Sequence, residues 1–288
     1  MALYEFDCIT CGNANDITNS HCYSCGTQLL GTINTRRASI KSEVLALEQN
    51  YLDAISNINT DGLNDEATEL TTEVNNNGKA IINTSIDFIW EWLVKGNGPY
   101  ESYRRQIIKN SRPRANFAND VQRALHDSLL FGTNIDIIYS ALTIDEKGLS
   151  SYGEAAIILT IPPIINRTSA LKMNSYLFIE EAVKSGWTID KPLPPGFMST
   201  WITKDKLCIS KLAKKLIKGM KKEEFARLIL TSYGDRSTDE FIELYIFGKI
   251  VESTLEKIKI PSSAKSSADY KKRLKLSELE RKFLIEYY

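Results

Sequence analysis

The residue types best equipped for chemistry crowd into the start of the chain. Four of the five cysteines fall within the first 25 residues, as Cys8-Ile9-Thr10-Cys11-Gly12 and Cys22-Tyr23-Ser24-Cys25-Gly26, a C-x2-C-x10-C-x2-C spacing. Two residues between cysteines let both thiolates of a tight turn face one cation, and two such turns complete a tetrahedron around zinc. Gly12 and Gly26 follow the pairs, where glycine permits the positive φ that folds each turn back with its amides toward the sulfurs. Cys8, Cys11, Cys22 and Cys25 are therefore the predicted metal ligands, with zinc as a structural cofactor. A closed four-thiolate site has no open position, so no catalytic metal is implied. Two disulfides are the alternative use of the same residues, and the lack of an export signal argues against them. With four thiolates available, His21 beside Cys22 reads as a bystander.

This segment resembles the short zinc ribbons found at the ends of many bacterial proteins, down to Gly26-Thr27-Gln28-Leu29 after the last pair. It also fits the Ran-binding-protein type of finger through Asn15. That finger carries a tryptophan just before its first cysteine, whereas Phe6 and Asp7 stand there, which favours the plain ribbon. The ribbon's role stays open between structural support, docking of a partner protein and contact with RNA.

Beyond the ribbon, the chemistry must come from carboxylate, hydroxyl, arginine and backbone. There is no glycine-rich phosphate loop, no Gly-x-Ser-x-Gly and no histidine pair on a helix, and His21 and His126 are the only histidines. Cys208, among alternating apolar neighbours, reads as a buried structural thiol. One ordered set stands out: Phe131-Gly132-Thr133, then Ser151-Tyr152-Gly153-Glu154 before a strand, Asn166-Arg167-Thr168-Ser169, Asn174-Ser175-Tyr176, and Tyr233-Gly234-Asp235-Arg236 before a strand carrying Glu243. The set resembles a diverged mono-ADP-ribosyltransferase domain of the kind found among bacterial toxins and phage-related effectors.

The resemblance implies an enzyme with NAD as substrate and a macromolecular acceptor, RNA or protein, with an antitoxin or other inhibitory protein as partner. It implies Glu243, Arg167 and Tyr152 as catalytic residues, Glu243 offsetting charge on an oxocarbenium-like ribose and Arg167 gripping the diphosphate. Gly132, Thr133, Arg167, Ser169 and Ser175 become the NAD-binding set. Phe241 stands two before Glu243, where protein-modifying members carry a second glutamate, so the acceptor is left open. Each residue also has a plainer reading. Glu243 can be the solvent side of an alternating strand, Arg167 a surface ion-pair partner, Tyr152-Gly153 a turn, and Asn174 and Ser175 a helix cap.

Positioning these groups falls to a chain of 288 residues with 43% hydrophobic and 25% charged residues, ordinary globular composition. No run approaches the ~18 apolar residues of a membrane span, and a soluble, cytoplasmic protein with no membrane partner is expected. The ribbon takes residues 1–30 and a linker 31–39. A mainly helical region follows over 40–130, with helices expected at 40–58, 81–94 and 117–130. An α+β region over 131–262 carries strands at 135–139, 155–161, 241–248 and 255–260, with helices at 173–184 and 207–220, and a basic C-terminal helix covers 263–288. The expected fold class is α+β. Charge is balanced at 36 basic and 36 acidic residues but segregated. Residues 43–73 hold eight acids and no Lys or Arg, 204–222 eight lysines and one acid, and 265–282 seven basic residues and three acids. Solvated helix faces are the simple reading. The alternative to the enzyme is a zinc-ribbon adaptor that binds nucleic acid or a protein through those basic stretches.

Overall fold

The computed structural model describes residues 4–96, 98–111, 117–132, 136–188, 191–236 and 238–288. An N-terminal hairpin pairs β1 (Glu5–Asp7) with β2 (Ala14–Asp16). Then come α1 (Ile33–Ala38), α2 (Lys41–Asp61), α3 (Asn64–Asn77), β3 (Lys79–Thr84), α4 (Ile86–Leu93), α5 (Tyr103–Ile108), α6 (Phe117–Phe131) and β4 (Ile137–Thr143). The remainder holds β5 (Ala155–Leu159), β6 (Thr168–Leu171), α7 (Ser175–Lys184), β7 (Met198–Thr200), α8 (Lys204–Leu212), α9 (Lys222–Ile229), β8 (Leu230–Thr231), β9 (Glu240–Phe241), β10 (Glu243–Phe247), β11 (Leu255–Ile260), α10 (Tyr270–Glu280) and β12 (Ile285–Tyr287). The main sheet has eight strands in the order β12-β11-β5-β3-β4-β10-β6-β7, antiparallel except where β11 meets β12. The chain is a mixed α+β fold, and among the described residues no helix is long and apolar enough to cross a membrane.

The sheet is covered on both faces, which is why β5 reads Ala-Ala-Ile-Ile-Leu with every residue buried instead of alternating. Leu244 and Ile246 of β10 join a large core with Leu70, Val74, Leu142 and Leu207. Tyr245 joins a second core with Ile33, Leu130, Phe131 and Phe178. Successive side chains of a strand point to opposite faces, so β10 lies between the two cores.

Several local expectations change in context. Lys79–Thr84, whose Ile81 and Ile82 suggested the start of a helix at 81–94, is a strand in the middle of the sheet. The helix begins after Ser85, whose hydroxyl caps it by accepting from the Phe88 amide at 3.2 Å. Burial on both faces removed the alternation that marks a strand, and the region 40–130 is thus not purely helical. The expected helix over 207–220 stops at Leu212, followed by a single tight turn. The C-terminal segment is helical only over Tyr270–Glu280, after which β12 runs parallel to β11 and extends the sheet.

The expected linker 31–39 is the largest departure. Residues 33–38 form α1, and all six are buried. Asn34 donates from Nδ2 to the carbonyl of Tyr245 in β10 (2.7 Å) and to that of Arg167 (3.1 Å). Arg36 turns the other way and donates to the carbonyls of Ile17 (3.0 Å), Leu29 (3.2 Å), Leu30 (3.0 Å), Gly31 (2.9 Å) and Asn19. Arg37 forms a buried ion pair with Glu43 (2.7 Å), whose second oxygen accepts the amides of Gly196, Phe197 and Met198. The N-terminal ribbon is therefore mounted on the sheet, not strung from it.

The charge blocks find one another. Acidic α2 and α3 pack on lysine-rich α8. Lys206 pairs with Glu48, Lys222 with Glu73 and Lys215 with Glu240, while Glu66 accepts the Gly219 amide. In the C-terminal segment Lys272 pairs with Glu154 and Lys275 with Asp87.

Candidate functional site

The four N-terminal sulfurs lie within 4.8 Å of one another. Cys8 Sγ is 3.7 Å from Cys25 Sγ, and Cys11 Sγ is 3.6 Å from Cys22 Sγ. A disulfide needs about 2.05 Å, whereas sulfurs around a tetrahedral ion with ~2.3 Å bonds stand roughly 3.8 Å apart. The thiols are free, and their spacing is that of ligands. The two turns are built alike: Gly12 N–H donates to Cys8 O and Cys8 N–H to Asn13 O, while Gly26 N–H donates to Cys22 O and Cys22 N–H to Thr27 O. Gly12 and Gly26 take φ of 73° and 72°, as their positions required. Buried Asn15 ties the turns together, accepting the Tyr23 amide (3.0 Å) and donating to Asn13 O (2.7 Å). Hydrogen bonds from the Cys25 amide, then the Ser24 amide and the Asn15 side chain, push the Cys22 thiol down to about 6. Against a hydrogen bond from the Asn13 amide, desolvation and the neighbouring cysteines push the Cys11 thiol up to about 11. The cluster can hold a metal ion. His21 lies outside it, with Nδ1 against Ser20 Oγ at 3.0 Å. Cys208 is fully buried, and desolvation pushes its thiol up to about 12, the state of an inert core residue.

A separate cavity of about 120 Å³ opens over the middle of the sheet. Its floor is β3, β4 and the first residue of β10, and its walls come from Tyr100–Tyr103, the turn at 149–152 and the segment leading to β9. A cavity of ~150 Å³ takes a benzene-sized ring, so this slightly smaller space has room for no more than one ring of a larger ligand. Glu243 lines it yet is only 6% exposed, which removes the solvent-side reading of that strand. Its Oε2 accepts the Ser175 amide at the start of α7 (2.8 Å) and the Tyr245 hydroxyl (2.9 Å). Desolvation, then the charge of Glu243, raises the Tyr245 phenol well above its ordinary value, so the phenol keeps its proton and donates. Tyr152 sits on the opposite wall in a tight turn. Gly153 follows at φ 154°, where a Cβ would come within 2.3 Å of the Thr84 backbone. The Tyr152 ring packs edge-on to Phe241 (6.3 Å), and the Arg236 guanidinium stacks 4.8 Å over it.

Of the residues singled out from sequence, Glu243, Tyr152 and the Ser175 amide come together. Arg167 does not join them. It lies at the far end of β10, donating to the carbonyls of Pro163 and Phe247, and desolvation lowers its pKa. Ser169 is fully buried, its hydroxyl accepting from Asn34. Gly132 ends α6 instead of following a strand and lies against Thr18 of the ribbon, while Thr133 lies outside the described residues. Glu240 pairs with Lys215, away from the cavity. The arginine at the site is Arg236, whose Nε donates to the Ser151 carbonyl (3.0 Å). It went unassigned in the sequence although it stands seven residues before Glu243. Tyr139, Asp127 and Asn83 were also missed, and nothing in their local sequence marks them.

No protein-family model matches this chain, and no curated protein matches it significantly.

Proposed function

We propose that the protein is an NAD-dependent ADP-ribosyltransferase that modifies RNA or protein, with zinc bound structurally by Cys8, Cys11, Cys22 and Cys25. The observation that carries the reading is the Glu243 carboxylate: buried, held by a backbone amide and a phenol, and lining a one-ring cavity with Tyr152 and Arg236. A carboxylate fixed in advance costs no reorganisation when positive charge develops on the ribose as nicotinamide departs. The nicotinamide ring would enter the cavity and the rest of the dinucleotide would lie outside it. Arg236, not Arg167, takes the diphosphate role, because Arg167 spends its donors on carbonyls at the other end of the strand. The adaptor alternative has less behind it, since Lys206, Lys215, Lys222, Lys272 and Lys275 are already paired with carboxylates.

The test is incorporation of label from adenylate-labelled NAD into total RNA and total protein by the zinc-loaded protein. Label in one pool, lost in Glu243→Gln and Arg236→Ala but kept in Arg167→Lys, is the expected result. Equal labelling by wild type and Glu243→Gln would refute the assignment.

A further inference from the structure

A second carboxylate reaches the same cavity through a tyrosine. Asp127, on the inward side of α6, is 7% exposed and accepts the hydroxyl proton of Tyr139. Tyr139 lines the cavity beside Glu243. In the β4–β10 pairing Tyr139 stands opposite Tyr245, while Glu243 stands opposite Ala141. Tyr139 and Glu243 are therefore diagonal neighbours, about 7–8 Å apart by the geometry of an antiparallel pair. The Tyr139 and Tyr245 rings pack edge to face at 5.2 Å, and each phenol donates to a different carboxylate. Two buried acids thus address one cavity with unlike chemistry. Glu243 is held by two donors that favour its charge, and Asp127 acts through a phenol that can accept one proton while passing on its own.

We infer that Tyr139 and Asp127 form the base that deprotonates the acceptor, and that the acceptor group is a hydroxyl. The inference rests on the ADP-ribosyltransferase reading of the site. As the acceptor oxygen forms its bond to C1′ of the ribose, its proton passes to the Tyr139 oxygen and the phenol proton passes to Asp127 Oδ1. The C1′–nitrogen bond breaks with its electron pair going to the ring, and neutral nicotinamide leaves. The positive charge of the pyridinium and the negative charge of Asp127 vanish together, so the step balances. A hydroxyl needs this base. A carboxylate acceptor has no proton to lose.

Tyr139 touches the reacting groups, and Asp127 is a positioning and proton-accepting residue behind it. The test uses the zinc-loaded full chain with NAD and water as the simplest hydroxyl acceptor, following nicotinamide release from pH 5 to 9. The wild-type profile over this range is the reference. Tyr139→Phe and Asp127→Asn are expected to lower the rate by about 10²–10⁴-fold near neutral pH and to change the shape of that profile, with KM for NAD little changed. Asp127→Glu is expected to restore part of the rate. Tyr139→Phe removes one oxygen and keeps the ring packed on Tyr245, so it reports on the relay even if Asp127→Asn fails to fold. Wild-type rate and pH profile in Tyr139→Phe, with Glu243→Gln inactive, would overturn the relay and leave the transferase reading standing. Full activity in Glu243→Gln would instead remove that reading. Label on the macromolecular acceptor that neutral hydroxylamine releases would mark a carboxylate ester and overturn the hydroxyl assignment.

Discussion

Arg36 offers the sharpest handle on this architecture. Its guanidinium gathers five carbonyls from residues 17–31 and holds the N-terminal four-cysteine segment against α1, which in turn is pinned to β10 through Asn34. In Arg36→Ala those carbonyls lose their donor. Leu30, Gly31 and Asn19 stand near solvent and can recover water, but Ile17 and Leu29 are only 2% and 4% exposed. Two buried acceptors left unsatisfied cost about 1–3 kcal/mol each, and relief of the guanidinium's own desolvation offsets part of that. A net destabilisation of about 2–4 kcal/mol is expected, a fall in the melting midpoint on the order of 3–7 °C. The assay is thermal and urea unfolding of the metal-loaded protein, with hydrogen exchange read separately for residues 33–38 and 243–247. Faster exchange in both segments is expected, together with faster loss of metal to a chelator. Arg36→Met, which keeps the apolar stem but none of the donors, should behave like Arg36→Ala. A midpoint and exchange pattern unchanged from wild type would show that the ribbon is merely tethered, and the reasoning would fail.

Removing one partner of the buried Arg37–Glu43 pair by Glu43→Ala strands a guanidinium and three backbone amides, so a loss of about 3–5 kcal/mol is expected in urea unfolding. Purified protein is expected to carry one zinc per chain by elemental analysis, and Cys11→Ser or a strong chelator should remove it and expose the amides of α1 to exchange. Desolvation pushes the Lys211 ammonium, which donates to the Phe241 carbonyl, down to about 8. The unfolded chain therefore binds more protons between about pH 8 and 10.4, so stability attributable to this group rises with pH across that window, by at most about 3 kcal/mol. Lys211→Met should flatten that rise in melting curves taken from pH 7.5 to 10. Gly153→Ala should disturb the Tyr152 wall, because its Cβ would meet the Thr84 backbone at 2.3 Å; a weaker melting midpoint and loss of the edge-on Tyr152–Phe241 packing are the readouts.

What could be read before folding was local. Ligand spacing depends on residues within one turn, so the four cysteines and the two glycines behind them were legible, and the sulfur cluster bears this out. The helix expected at 40–58 appears as α2 and runs on to Asp61, where Gly62 closes it at φ 69°. β11 falls at 255–260, as expected from the sequence. The errors share one cause. Ile81-Ile82, the α1 stretch and Glu243 each have a sequence that admits two structures, and burial chooses between them. A strand covered on both faces loses its alternation, and a six-residue segment becomes a buried helix once carbonyls from other segments accept its asparagine and Arg36 and the Glu43 carboxylate pairs with Arg37.

The amino-acid sequence by itself determined the four-cysteine cluster, the α+β class and the segregation of charge into blocks. Tertiary structure alone decided that Lys206 and Lys222 of the basic stretch pair with Glu48 and Glu73 of the acidic one, and that Arg167 and Glu243 lie by opposite ends of β10. It also brought Tyr139, Tyr152, Arg236 and Glu243 to one cavity, with Asp127 behind the Tyr139 hydroxyl. The reason is physical. Metal-ligand spacing and strand periodicity are properties of a few consecutive residues, whereas the burial that makes a carboxylate a fixed electrostatic partner depends on segments that meet only when the sheet has closed.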